Sequence, residues 1–351
     1  MAEKLGSKWR KGITIATFAA LVLLIYFSRE QIADTFNRLF EVNSIILISI
    51  LIFQFINHHA YTKLYQSLFK IVGKKLKYWP TYRISLEVNF VNNVFPTGGV
   101  TGFSYFGLRM QKFGINAGKS TLVQMMRFIG VFVSFQALIF LGLIFLAIEG
   151  RVSNFTILVA SSLATLIVVG TGLTAYIVGS RNRIDAFFTW ATKAVNRVIQ
   201  VVRPKHPETI SVASSRRMFL DLHEDYKIIK KNYTKLGPWF WYSLLANVVE
   251  IASVYVIYLA FGHSVNPGAI IIAYVIANFA GIISVLPGGV GIYEGLMVAV
   301  LATAGVPPGI SIPATVMYRV LTSVIQLPPG YYFYQKALDD TGWEKPEKKK
   351  R

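Results

Sequence analysis

Cysteine is absent from this 351-residue chain, which excludes disulfides, thiolate nucleophiles and cysteine-ligated metal sites. Acidic residues are also scarce: 17 Asp and Glu stand against 36 Lys and Arg, and charged residues make up only 15% of the chain. A soluble protein of this length carries far more charge. What fills the gap is apolar. Hydrophobic residues reach 54% and the mean hydropathy is +0.49. About 20 apolar residues cross the ~30 Å of hydrocarbon in a bilayer. Runs approaching or exceeding that length lie at Gly12–Phe27, Ser44–Asn57, Leu122–Ile148, Phe155–Val178, Pro238–Phe261, Ala269–Leu286 and Pro313–Tyr334. The fold class is an all-α polytopic membrane protein.

The basic residues are unevenly placed. They crowd into Met1–Lys11, Lys63–Lys77, Arg181–Lys235 and Lys336–Arg351, whereas Gly262–Gly268 has none. By the positive-inside rule both termini and the 181–235 loop face the cytoplasm. The excess of +19 reads as topology plus attraction to anionic headgroups, not as nucleic-acid binding. The first apolar run lacks a small-residue cleavage site and is expected to stay as an anchor in the cell membrane. Within the basic loop, 184–202 has the pattern of an amphipathic helix lying on the cytoplasmic leaflet.

An internal repeat organises the apolar part. FPTGGVTG (95–102) and LPGGVG (286–291) each open on an apolar residue and proline, followed by clustered glycines. Each continues through one short helix to a Gly-apolar-x-x-Gly turn, Gly114–Gly118 and Gly305–Gly309. Each then enters a span carrying Arg127 or Arg319 just after a methionine. Agreement in both order and spacing marks a duplicated unit. The flanking charges orient the copies oppositely, giving cores at 83–127 and 286–320. Pro96, Gly98, Gly99, Gly102, Pro287, Gly288, Gly289 and Gly291 break the helix inside the membrane, which lipid tolerates only where protein or a cavity covers the backbone. The expected architecture is six full crossings plus two opposed re-entrant hairpins, as in transporters with inverted repeats.

Few ionisable residues lie in apolar surroundings: Glu87, Arg127, Glu250, Glu294 and Arg319. Each must face protein or water, because a charge at a helix centre costs roughly 2.5–3.5 kcal/mol. The arginines are suited to a phosphodiester headgroup; the alternative is ion pairing with the three glutamates. Glu294 either caps the helix after Gly291 or contacts a cationic headgroup or proton. Asn92 and Asn278, with Tyr318, complete the candidate substrate-binding set. Taken one at a time, Asn89, Asn92, Asn93, Asn247 and Asn278 are each better read as helix–helix hydrogen bonds than as ligands. GINAGKST (114–121) is one residue short of a phosphate-binding loop and follows no strand, so ATP hydrolysis has no support. His58–His59 has no Cys or acidic companion, so it is placed at the interface and no metal is assigned. No cofactor and no catalytic constellation is expected.

LPGGVGIYEG, AGVPPG and MYR together resemble the transmembrane region of lysyl-phosphatidylglycerol synthases, a flippase-like membrane family. The resemblance covers Gly12 to Tyr334. It places the family's P-G-G-x-G-x-x-E and tyrosine-arginine on Pro287, Gly288, Gly289, Gly291, Glu294, Tyr318 and Arg319. It implies translocation of an anionic or modified phospholipid between leaflets. The chain ends at Arg351, so the soluble aminoacyl-transfer domain of bifunctional relatives is not expected. A membrane-embedded transferase, or a small-solute transporter, is the alternative.

Overall fold

The computed structural model describes residues 42–95, 100–150, 154–187, 226–283 and 289–340, together with 189–190, 29–38 and isolated positions between 19 and 26. Among them there are helices and turns and no strand. Five helices are long and apolar enough to cross a membrane, so the chain is a multi-pass membrane protein. In chain order the elements are α1 (Ser44–Ile71), α2 (Tyr78–Val94), α3 (Val100–Gln111), α4 (Ala117–Ile148) and α5 (Asn154–Val178). After the basic loop come a 3-10 turn (Tyr233–Leu236), α6 (Gly237–Ala260), α7 (Pro267–Ile283), α8 (Ile292–Thr303) and α9 (Pro308–Asp340). The spanning candidates are α1, α4, α5, α6 and α9; α7 and α8 are shorter apolar helices.

The order of helix lengths repeats. α2, α3 and α4 have 17, 12 and 32 residues; α7, α8 and α9 have 17, 12 and 33. Both short helices end at a glycine with positive φ, Gly114 (65°) and Gly305 (82°), a conformation open to glycine for want of a Cβ. Packing follows the same duplication. α2 lies against α9 and α4 against α7, so each unit lends its long helix to the other unit's 17-residue helix. Glycines permit both approaches: a Cβ at Gly330 would come within 2.7 Å of the Phe90 Cβ, and one at Gly142 within 3.1 Å of Ile271 and Ile272.

The units meet along α1 and α6, which form the most extensive helix pair. The Asn43 N–H donates to the Ala260 carbonyl (3.1 Å), and Asn57 Nδ2 donates to the Ala246 carbonyl (3.0 Å). Fourteen residues forward in α1 therefore match fourteen residues back in α6, and the two run antiparallel. Asn43 also starts α1, its side chain accepting from the Ile45 and Ile46 amides, while Asn116 starts α4 by accepting from Lys119 N. Three cores result among the described residues. One, around Leu68, Phe69, Phe106 and Leu122, is fed mainly by α1–α4. A second, around Ile257, Ala273, Met297 and Leu301, is fed mainly by α4–α9. A small third, Phe90, Val91 and Val94 with Tyr334, joins α2 to α9. α5 is peripheral and touches α4, α7 and α8.

Several boundaries differ from the sequence reading. α1 continues about four turns past Asn57 to Ile71, because Tyr61, Leu64, Tyr65 and Leu68 keep the 3.6-residue period through the polar histidines. His58 is consequently buried in mid-helix, not placed at an interface. Pro96, Gly98, Gly99, Pro287 and Gly288 lie outside the described residues, as do most of Gly12–Phe27 and residues 191–202 of the amphipathic segment. Residues 181–187 are helical, with Ile184 buried and Trp190 exposed nearby. Counted from the helix starts, Glu294 in α8 corresponds to Gly102 in α3.

Candidate functional site

The charged residues in the apolar interior fall into three groups. In the first, α2 and α3 fold back on each other and bring Glu87 to Arg109. Arg109 Nε and Nη2 donate to the two carboxylate oxygens at 2.7 and 3.0 Å, and the Tyr105 hydroxyl adds a third bond at 2.7 Å. Tyr105 and Arg109 are one turn apart on α3, so a single face supplies both donors. The carboxylate is 2% exposed, and two-pronged pairing of this kind is the strong form of an ion pair. Sequence reasoning had offered Glu87 to Arg127 or Arg319. It missed Arg109 because that residue sits near Lys112 in the less apolar part of the short helix and resembles a loop charge. The i, i+4 spacing of Tyr105 and Arg109 was the available signal.

In the second group, Gly291 (φ 87°) begins α8, and its N–H donates to Glu294 Oε2 at 2.6 Å. The other carboxylate oxygen, Oε1, lies 3.3 Å from Arg319 Nε, whose guanidinium also stacks 4.8 Å over the Tyr293 ring. Glu294 thus caps its helix and neutralises an arginine together. Tyr293 stacks on Tyr318 at 6.4 Å, and the Tyr318 hydroxyl donates to Glu250 Oε2 at 2.5 Å. Glu250 has no cation within ion-pair distance among the described residues, so neither arginine pairs with it.

Arg127 makes the third group, and it is built differently. Its guanidinium lies 4.7 Å over the Tyr61 ring and 5.4 Å over Phe128. Its buried Nε has no hydrogen-bond partner, and no carboxylate lies within ion-pair distance among the described residues. The expected pairing of Arg127 with Glu87, Glu250 or Glu294 is therefore not what the structure shows: those acids are held by Arg109, Tyr318 and Arg319. His58, three residues before Tyr61 on α1, has its Nε2 likewise buried without a partner.

A run of amides connects the units. Asn89 of α2 donates to Gln326 of α9, and Gln326 donates to Gln54 of α1. Gln54 lies beside Glu250 of α6. Asn247 donates to Ser134 of α4 at 2.5 Å, as a helix–helix hydrogen bond should. Asn278, a candidate ligand by sequence, turns back to its own helix at the Tyr274 carbonyl (2.9 Å). Asn92 packs against Gly102, where a Cβ would collide with its amide, and its buried Oδ1 has no partner. No group of three metal-ligating side chains occurs among the described residues. An open depression of about 730 Å³ along α5, between Asn154 and Val169, contains none of these charged residues.

Two helical units of matching helix lengths, joined by an antiparallel helix pair, make this a polytopic all-α membrane protein. The family follows from comparison. The model of the lysylphosphatidylglycerol synthase TM region matches residues 12–330, and the chain belongs to that family. Two stretches match proteins described as UPF0104 membrane protein from Methanothermobacter thermautotrophicus. One is 30% identical over 160 residues, 45% of this chain and 45% of the relative. The other is 41% identical over 76 residues, 22% and 23% respectively. In these matches the chain spans less than half the length of the curated relatives.

Proposed function

We propose that the protein moves a lipid with an anionic headgroup between membrane leaflets, and that Arg127 receives the headgroup phosphate. The observation carrying this reading is the uncompensated Arg127 beside the corresponding, neutralised Arg319. Breaking a buried ion pair by removing one partner costs about 3–5 kcal/mol, so a fold does not leave a guanidinium unmatched without another source of negative charge. A phosphodiester supplies it, with two oxygens spaced for a planar fork. Tyr61 and Phe128 flank the guanidinium with rings on which acyl-chain and glycerol carbons can rest. In this reading α2–α3 and α7–α8 are re-entrant hairpins entering from opposite faces, and both termini are cytoplasmic.

The test is movement of short-chain fluorescent lipids in proteoliposomes with zwitterionic, anionic and lysylated headgroups. Arg127→Ala is expected to lower protein-dependent movement on the order of 10- to 100-fold, the weight of a charge-assisted hydrogen bond or two. Unchanged movement in that variant would remove Arg127 from the site. A wild-type protein that moves none of the three lipids would remove the reading.

A further inference from the structure

The unmatched arginine is not isolated from the surface. Polar and aromatic side chains make the contact between α1 and α2 at helical spacing, and they run inward from the lysine-rich end of both helices. Lys63 Nζ sits 5.6 Å over the Tyr78 ring, and His59 Nδ1 meets the Tyr78 hydroxyl at 2.8 Å. One turn deeper, Tyr82 contacts the rings of Tyr78 (5.9 Å) and His58 (6.1 Å). Deeper again, Ser85 Oγ lies 3.4 Å from His58 Nδ1, the opposite ring nitrogen of His58 is buried without a partner, and Arg127 lies over the Tyr61 ring three residues along α1. Trp79, 60% exposed, stands at the mouth. Helix–helix contacts in lipid are ordinarily made by small and apolar side chains, and polar residues at membrane depth mark substrate pathways. Here the contact between two packed helices is instead a polar row, a cation at the rim with hydroxyls and imidazoles within, and the Arg127 guanidinium lies against Tyr61 of the same stretch of α1.

We propose that the α1–α2 contact is the lateral passage by which a phosphate-bearing lipid headgroup travels from the lysine-rich membrane face to the Arg127 seat. This rests on the lipid-transport reading and adds its route. The phosphate, drawn in by Lys63, exchanges hydrogen bonds with the Tyr78 and Tyr82 hydroxyls and then with Ser85. Its acyl chains remain in the bilayer, against the outer edge of that contact.

The native absence of cysteine makes the route directly testable, because Ser85→Cys places a single thiol at mid-passage. Sulfonatoethyl methanethiosulfonate, which attaches an anion, is applied to Ser85→Cys proteoliposomes during lipid movement. Ser161→Cys, on the exposed face of peripheral α5, serves as the comparison. The expected result is reaction at Ser85→Cys. Lipid movement by that variant then falls at least roughly tenfold relative to the same sample before labelling and returns with reductant, since an anion fixed in the passage repels the headgroup. Labelling of Ser161→Cys changes nothing. A Ser85→Cys thiol that stays unreactive while lipid moves, or reacts without slowing it, overturns the route while leaving lipid transport standing. Uptake of radiolabelled inorganic phosphate by vesicles in which no lipid moves overturns it in favour of a free anion. Failure of the underlying reading shows separately, as no lipid movement in the unlabelled wild type.

Discussion

The two halves of the molecule share a plan and differ in charge. Arg127 and Arg319 each stand about three turns into the long helix that follows a positive-φ glycine, and each lies over a tyrosine ring. Arg319 has Glu294 beside it. At the place in α3 that corresponds to Glu294 the chain has Gly102, and the Asn92 amide fills the room this leaves. One copy keeps a carboxylate beside its arginine and the other does not. Under the proposed lipid transport, this single position is what leaves Arg127 open to a headgroup while its counterpart stays paired.

That contrast can be broken most forcefully at its neutral end. Arg319→Ala strands the Glu294 carboxylate in the interior and is expected to destabilise the protein by about 3–5 kcal/mol, read as a lower unfolding temperature in detergent. Adding Glu294→Gln should recover a large part of that loss. Arg127→Leu should do the opposite. Removing a guanidinium with no carboxylate partner relieves a cost of roughly 2.5–3.5 kcal/mol, so the unfolding temperature holds or rises while lipid movement is lost. A fall as large as that of Arg319→Ala would show that Arg127 is held by an ion pair after all. Glu87→Gln, which weakens three charge-assisted bonds from α3, should cost about 1.5–3 kcal/mol and leave the Arg127–Arg319 difference intact. Gly291→Ala forces a side chain into the left-handed region at the start of α8 and should cost about 1–2 kcal/mol. The smallest effect belongs to Asn247→Ala, about 0.6 kcal/mol, the usual weight of a hydrogen bond between membrane helices.

The repeat was legible in the sequence because glycine and proline in an apolar run have few other uses, and their spacing survives duplication. Apolar periodicity located the long helices for the same reason. Which carboxylate meets which arginine was not legible. Glu87 finds Arg109 only because α2 and α3 fold back on each other. Gly102 and Glu294 correspond only once the helix starts are fixed, and aligning Gly102 with Gly291 by motif shifts that register. The histidines misled for a related reason. A polar pair at the end of a short apolar run resembles a membrane edge, and only the packing of α1 against α2 shows that the helix continues through it.

One difference between the long helices has a mechanical consequence. α4 contains no proline, whereas α9 carries Pro313, Pro328 and Pro329 within its length. Proline donates no N–H, so the carbonyls of Val324 and Ile325 lose their usual partners one turn before Gly330, where α9 presses against α2. α4 behaves as a stiff strut and α9 as a jointed one, with its joint beside Gln326 and the amide run that reaches Glu250. The two carbonyls freed there make this stretch of α9 softer to bending than any part of α4.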